Sequence, residues 1–248
     1  PVGVGKAVLT YCGAPSEKLG SIRPGDVLDL IVECKGSDWQ RASQVVAGGP
    51  YLVKEGKPFI PYATEGFTDG FAKKRHPRTA IGRTLAGDVW IVAADGRQAM
   101  SVGATLAEMA DLMLRLGCIE AINLDGGGST TINVGAVTLN RPSEGMERPV
   151  ANSILVFSSL VRPVSVPVGV PGPVVAGAAE IKVGESARYQ VVDASGEPVP
   201  QSEVLWSAQG AAWIDQAGVL RGIEDGACRI LALAHGRTAS LTVTVVKG

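Results

Sequence analysis

Histidine is nearly absent from this 248-residue chain: His76 and His235 are the only two, which excludes a multi-histidine metal centre within one copy. Cysteine is sparse as well. Cys12, Cys34, Cys118 and Cys228 are widely scattered, with no C-x-x-C spacing for zinc or a redox pair. Cys12 and Cys34 can bridge only if their strands are neighbours, and isolated buried thiols are the simpler expectation. Neither sign of charge dominates. With 23 basic and 24 acidic side chains and a net charge of −1, the chain has no broad electrostatic footprint for nucleic acid or an anionic membrane. No apolar run approaches the roughly 20 residues of a spanning helix, so a soluble globular protein with no membrane-spanning segment is expected. A P-loop pattern and a G-x-S-x-G elbow are also missing, which removes nucleotide triphosphatase and α/β-hydrolase chemistry.

What the chain does have is Ala121-Ile122-Asn123-Leu124-Asp125-Gly126-Gly127-Gly128-Ser129-Thr130-Thr131, a short apolar strand ending in one carboxylate, three glycines and three hydroxyls. Glycines in succession let backbone N–H groups approach a ligand closely and form an anion-binding nest. A carboxylate beside such a nest suits chemistry on a phosphate or a sugar. The plainer reading is a glycine-rich turn with an Asp for turn geometry.

The surroundings favour a site. Residues 89–94 read as a strand closed by Asp95-Gly96-Arg97, and residues 105–116 as a helix. Leu106, Met109, Ala110, Met113 and Leu116 keep a helical period, Thr105 and Glu108 have capping-box spacing, and Gly117 supplies the stop, so Glu108 is structural. The helix leads into a strand at 119–124, placing Asp125 at a carboxyl end, where open α/β layers commonly bind ligands. Further upstream, strands at 7–11 and 26–33 bracket the turn Arg23-Pro24-Gly25, and residues 44–47 lead into a strand at 51–54 and the turn Glu55-Gly56-Lys57. Residues 62–74 have no sustained period and read as a loop over a cleft entrance or, in the plainer reading, a solvated connection.

The character of the sequence changes after Phe157. Residues 161–179 carry Pro163, Pro167, Pro171 and Pro173 among valines and glycines and read as an extended linker. Runs at 180–183, 187–192, 204–208, 211–215, 219–222, 228–234 and 240–246 then read as strands at sandwich-like spacing. Val183-Gly184-Glu185, Asp193-Ala194-Ser195-Gly196, Trp206-Ser207-Ala208, Gly218-Val219-Leu220 and Thr242-Val243-Thr244-Val245 resemble the bacterial group 2 immunoglobulin-like domain. That resemblance implies a surface spacer or adhesive module, with Trp206 a core plug rather than a sugar platform. The expected organisation is α+β: a strand-rich mixed catalytic domain at 1–158, a linker at 159–178 and a smaller all-β immunoglobulin-like sandwich at 179–248.

His76-Pro77-Arg78-Thr79-Ala80-Ile81-Gly82, Asp95-Gly96-Arg97, the helix from Thr105, Asn123-Leu124-Asp125-Gly126-Gly127-Gly128-Ser129-Thr130, Asn140-Arg141-Pro142-Ser143 and Glu147-Arg148-Pro149-Val150-Ala151-Asn152 resemble the phosphodiester glycosidase family over most of residues 7–158. Ala47-Gly48-Gly49-Pro50-Tyr51-Leu52-Val53 is similar to another segment of it. The resemblance implies hydrolysis of a sugar-1-phosphodiester, of the N-acetylglucosamine-1-phosphodiester kind, to free sugar and a phosphomonoester. The partner is then a sugar-phosphate or cell-envelope glycan, and the expected location is secreted or in a bacterial cell envelope. Members of the family usually carry sequence before the strand matched by residues 7–11, and this chain starts at Pro1. The domain is therefore expected to lack its N-terminal part, and activity of this piece alone is not assumed.

Residue types assign the roles. Arg78 and Arg148 offer planar forks for phosphate oxygens, and Gly126, Gly127, Gly128, Ser129 and Thr130 offer backbone and hydroxyl donors. Asp125 is the carboxylate for nucleophile, base or metal ligand. Asp125, Arg78 and Arg148 form the catalytic set. Thr79, Asn140, Glu147 and Asn152 join the loop as substrate-binding residues, chiefly on the resemblance. Glu144 reads as exposed and second to Glu147, and His76, directly before Pro77, as structural or as a support behind the residues that meet the ligand. No cofactor is required; oxygen ligands around Asp125 would suit Ca²⁺ or Mg²⁺, but no multi-carboxylate loop of calcium spacing is present. The competing readings are a binding module for anionic glycans and a structural surface protein.

Overall fold

The structure, a computed structural model, describes residues 20–29, 42–135, 137–158 and 171–248. The chain divides into two compact units, Pro1–Val46 and Ala47–Gly248. In the described part of the first unit, Arg23-Pro24-Gly25 makes the expected turn. Gly25 has φ +99°, and the Asp26 N–H donates to the Arg23 carbonyl at 3.1 Å. The strand expected at 7–11, most of that at 26–33, and Cys12 and Cys34 lie outside the described residues; 26–29 and 44–47 are not strands.

The second unit begins with a five-stranded sheet built from β1 (Tyr51–Lys54), β2 (Lys57–Pro58), β3 (Arg78–Thr84), β4 (Val89–Ala94) and β5 (Cys118–Leu124), in the order β2-β1-β5-β3-β4. Every neighbouring pair is antiparallel. The open parallel α/β layer behind the carboxyl-end expectation is therefore not what forms. The carboxyl-end position of Asp125 arises another way. β4 and β5 both run antiparallel to the β3 that separates them, so they run parallel to each other, joined by helix α2 (Leu106–Arg115). This split β-α-β arrangement brings the ends of β4 and β5 to the edge where β3 begins.

Helix α2 forms as its sequence predicts. The Thr105 hydroxyl accepts from the Glu108 N–H at 3.1 Å, and the Glu108 carboxylate accepts from the Thr105 N–H at 2.9 Å, a complete capping box. Gly117, at φ +81°, ends it. Its buried face, Leu106, Met109, Ala110 and Met113, packs on Leu52, Val53, Ala80, Cys118 and Ala121 of the sheet. The other sheet face carries a cross-strand row, Tyr51, Ile122, Ile81 and Ile91, over a shallow apolar depression of about 490 Å³. The loop expected at 62–74 contains a short helix α1 (Asp69–Lys73), capped by the Thr68 hydroxyl accepting from the Phe71 N–H at 3.1 Å. Five residues are too few to leave a periodic signature in the sequence.

A hairpin of β6 (Asn133–Val134) and β7 (Val137–Thr138) follows Asp125. The strands from 171 onward are β8 (Val174–Ala176), β9 (Glu180–Lys182), β10 (Ser186–Arg188), β11 (Gln190–Val192), β12 (Val204–Gly210), β13 (Ala212–Ile214), β14 (Val219–Gly222), β15 (Gly226–Ala234) and β16 (Arg237–Val246). They form the sheets β12-β15-β16-β9, β10-β14-β13 and β11-β8. Alternation along β12, β15 and β16 sends Trp206, Cys228, Ile230, Ala232, Val243 and Val245 into one core, with Trp206 fully buried as expected. The linker expected to reach 178 stops sooner, since Val174–Ala176 pairs with β11 and buries Val175. The run at 187–192 is two strands. Tyr189 is the switch between sheets, buried, with its hydroxyl donating to the Ala178 carbonyl at 2.7 Å. Cys118 and Cys228 are buried free thiols, and burial pushes both up.

β7 packs against this all-β region. The Ser207 hydroxyl donates to the Thr138 carbonyl, and the Arg141 guanidinium donates to the Gly210 carbonyl. Among the described residues, no helix is long and apolar enough to cross a membrane.

Candidate functional site

Three strand ends meet at one edge of the sheet. Thr79 pairs with Leu124, and Arg78 with Ala94, so the start of β3 lies between Asp125 and Asp95. Asp125 is exposed, its Oδ1 accepting from the Gly126 N–H at 2.8 Å. The glycines follow as a 3₁₀ turn, Gly127–Ser129. Gly126 is required by proximity, because a Cβ there would sit 2.7 Å from the Pro77 carbonyl oxygen. Gly127 is required by conformation, at φ +63°.

The turn corrects the expected nest. The Gly127 N–H donates to the Pro77 carbonyl at 3.0 Å, Ser129 to Gly126 at 3.1 Å and Thr130 to Gly127 at 3.2 Å. Among the described residues only the Gly128 amide in this loop lacks a partner. Most of the loop's donors are therefore consumed in holding its own shape and docking it to Pro77. The Thr130 hydroxyl is likewise turned inward, 3.2 Å from that of Thr79.

Arg78 is 1% exposed and presents no open fork. Its Nε donates to the Ala104 carbonyl at 2.9 Å, its Nη2 donates to the Phe71 and Lys74 carbonyls, and its guanidinium lies 4.7 Å from the Phe71 ring centroid. No carboxylate among the described residues pairs with it. Burial, and then the charge of Arg97, push it down to about 10, so it remains a buried cation at neutral pH. Arg148 is exposed and held by Glu144 through two hydrogen bonds, Nε to Oε2 at 3.1 Å and Nη2 to Oε1, while its Nη1 lies 3.4 Å from the Ser129 hydroxyl. This pair lies on Gly128, where a Cβ would run into both groups. The Arg148 hydrogen bond holds Glu144 below the usual carboxylate range, and the Arg97 charge adds to it.

Two expected substrate-binding residues face elsewhere. The Asn140 amide is fully used: Oδ1 accepts from the Ile132 N–H at 2.8 Å, and Nδ2 donates to the Thr130 carbonyl at 2.9 Å and to Asp95 Oδ1 at 3.1 Å. Glu147 turns to the β6–β7 hairpin, accepting from the Thr138 hydroxyl and, at 3.4 Å, from the Asn133 amide. Asn152 is exposed and without a hydrogen bond among the described residues. The structure thus gathers Asp125, Gly126, Gly127, Gly128, Ser129, Arg148 and, beneath them, Arg78, Thr79 and Thr130. It assigns Asn140 to scaffolding.

Residues of the Asp95-Gly96-Arg97 segment, to which no role was assigned from sequence, also matter. Asp95 accepts from the Arg141 N–H at 3.0 Å and from Asn140, and burial pushes its carboxyl up against those bonds. Arg97 has φ +57°, reaches across Gly127 and donates from Nη2 to His76 Nδ1 at 3.1 Å. Asn123, 1% exposed, ties β5 to Gly49 through Nδ2 at 2.9 Å, leaving its Oδ1 without a partner. The sequence signals for Arg97 were its place directly after a strand end and Gly96, and the resemblance of Asp95-Gly96-Arg97 to a segment of the family. Among the described residues no three His, Cys, Asp or Glu side chains gather as a metal-binding group.

A model of the phosphodiester glycosidase family matches residues 4–157. The chain is 39% identical over 110 residues to the prophage-derived uncharacterized protein YomE of Bacillus subtilis strain 168, covering 44% of this chain and 17% of that one. It is 34% identical over 110 residues to human N-acetylglucosamine-1-phosphodiester α-N-acetylglucosaminidase, covering 41% and 21%. Among solved structures, the catalytic domain of the zebrafish N-acetylglucosamine-1-phosphodiester α-N-acetylglucosaminidase is similar at a TM-score of 0.35 and 27% identity, covering 40% of this chain and 34% of that one. The chain spans less than a third of the length of the curated relatives it matches.

Proposed function

The chain belongs to the phosphodiester glycosidase family, and on that premise we propose that it hydrolyses the glycosidic bond of a sugar-1-phosphodiester at the edge formed by β3, β4 and β5. What supports this most is one juxtaposition: an exposed carboxylate, Asp125, on a loop flanked by the guanidiniums of Arg97 and Arg148 and underlain by that of Arg78. The phosphomonoester leaves readily, and cations near it stabilise the charge that develops on its oxygens. Asp125 then serves the sugar side, as nucleophile or as base toward water. The human relative acts on an N-acetylglucosamine-1-phosphodiester, and that is the substrate class we propose here. We further read residues 179–248 as an immunoglobulin-like module and the location as secreted or in a cell envelope. A signal peptide in the full-length open reading frame would support the location, and its absence would oppose it.

The test is release of free sugar from N-acetylglucosamine-1-phosphodiesters, with Asp125→Asn expected to slow it at least about a hundredfold. Unchanged turnover in Asp125→Asn removes the catalytic assignment. Binding without release across a panel of sugar-1-phosphodiesters makes the domain an anionic-glycan module.

A further inference from the structure

Arg97 has a backbone conformation that its neighbours explain and its own chemistry does not. Only three non-glycine residues among those described have positive φ. Glu55 and His235 each precede a glycine in the two-residue turns joining β1 to β2 and β15 to β16, where hairpin geometry asks for it. Arg97 lies in no hairpin, at φ +57°. The segment around it is clamped instead. A Cβ on Gly96 would stand 2.7 Å from the Pro77 nitrogen, and one on Gly103 would stand against the His76 carbonyl. The His76 and Ala104 backbones exchange hydrogen bonds of 3.2 and 3.0 Å. The loop from Gly96 to Gly103 is thereby pressed onto His76-Pro77, and Arg97 is turned out over the glycine loop.

The side chain is then fixed by two contacts. Its guanidinium lies flat against Gly127, where a Cβ would come within 3.4 Å of Nη1 and 3.5 Å of Nη2. Its Nη2 donates to His76 Nδ1 at 3.1 Å. A guanidinium has no acceptor, so Nδ1 carries no proton. With Nδ1 accepting, Nε2 faces the Gly70 carbonyl at 3.3 Å as donor. No carboxylate among the described residues forms an ion pair with Arg97. Behind it, Arg78 is a second cation with no anion. Arg148 differs from both, since Glu144 closes its fork.

We propose that Arg97, rather than Arg148, is the residue that binds the phosphate of the ligand, with His76 as its positioning residue, Arg78 as the buried charge behind it, and Glu144 as an internal anion that competes for the same edge. This rests on reading the site as one for a sugar-1-phosphodiester. A phosphoryl group laid on Arg97 gains a preformed, charge-assisted contact from a side chain already held in place, so little rotamer freedom is lost on binding.

Titration calorimetry of the full chain with inorganic phosphate tests this without turnover. Arg97→Ala should weaken phosphate at least about tenfold, with Arg97→Lys intermediate because a point charge replaces a fork. His76→Leu removes the acceptor and should weaken phosphate, and His76→Gln, which keeps one, should restore most of the affinity. A merely structural histidine would not be rescued in this way. Glu144→Gln should tighten binding. Unchanged affinity in a folded Arg97→Ala, or no phosphate binding by the unaltered chain up to about 10 mM, overturns the proposal. Phosphate binding lost in Arg97→Ala, with no sugar released from any sugar-1-phosphodiester, defeats the hydrolase reading and leaves the anion site standing. Turnover with an unchanged KM in Arg97→Ala does the reverse.

Discussion

Residues 171–248 and the sheet of β1 to β5 are held together by different means. The all-β region closes around Trp206, Tyr189, Leu220 and Ile230, all fully buried, and its largest side chain leaves a polar atom, the indole Nε1, without a partner. The sheet has one face packed under α2 and an opposite face on which Tyr51 remains exposed. At its functional edge the buried groups are Arg78, Asn123 and Thr130, fixed by hydrogen bonds to carbonyls and hydroxyls. An apolar core tolerates some repacking, whereas a polar edge has directional bonds that fail when one partner goes. The half that carries the candidate site is thus the half whose shape depends on specific donors and acceptors.

The largest expected effect lies in the apolar half. Trp206→Ala should cost about 3–5 kcal/mol in denaturant unfolding, by loss of burial and creation of a cavity. A loss under about 1 kcal/mol would break the claim that this core carries the region. At the polar edge, Asn140→Ala should cost about 1–3 kcal/mol, since the Ile132 N–H and the Thr130 carbonyl lose their partner. It should also lower sugar release by loosening the loop, since the Asn140 amide is committed to Ile132, Thr130 and Asp95. Full turnover together with full stability would show that the loop needs no such brace. The smallest effect is a pH slope. The Asp95 carboxyl is raised in the folded state, so the folded chain holds that proton more tightly than the unfolded one. Its contribution therefore favours the fold below the unfolded value of about 3.9 and declines as pH rises through the raised one. Asp95→Asn should flatten that part of the curve of urea midpoint against pH, and an identical slope in both proteins would remove Asp95 as its source.

Much of this was legible in the chain, and the limits have physical causes. Thr105 and Glu108 announce α2 because a capping box is a contact between near neighbours. The alternation of β15 and β16 and the Asp125 loop are local in the same sense. The orientation of Asn140 was not readable, because its partner Asp95 is 45 residues away and is brought close only by the β3–β4 pairing. The use of the loop's amides was hidden for a related reason: glycines permit a nest and a 3₁₀ turn equally, and the Pro77 carbonyl decided between them. Arg78 and Arg97 are both arginines following short motifs, and only their burial separates a buried charge from an open fork.

The split β-α-β arrangement has a kinetic consequence. His76, Arg97, Asp125 and Arg148 come from segments that meet only after β3 has found both β4 and β5, the latter a pairing of Thr79 with Leu124. Such non-local closure comes late, after its loop entropy has been overcome. A partly folded chain therefore has no anion site at all, and an anion bound there holds the complete sheet rather than one loop. At a concentration a hundred times its dissociation constant it would add about 2.7 kcal/mol to global stability, so protection from hydrogen exchange should spread across β3, β4 and β5 together.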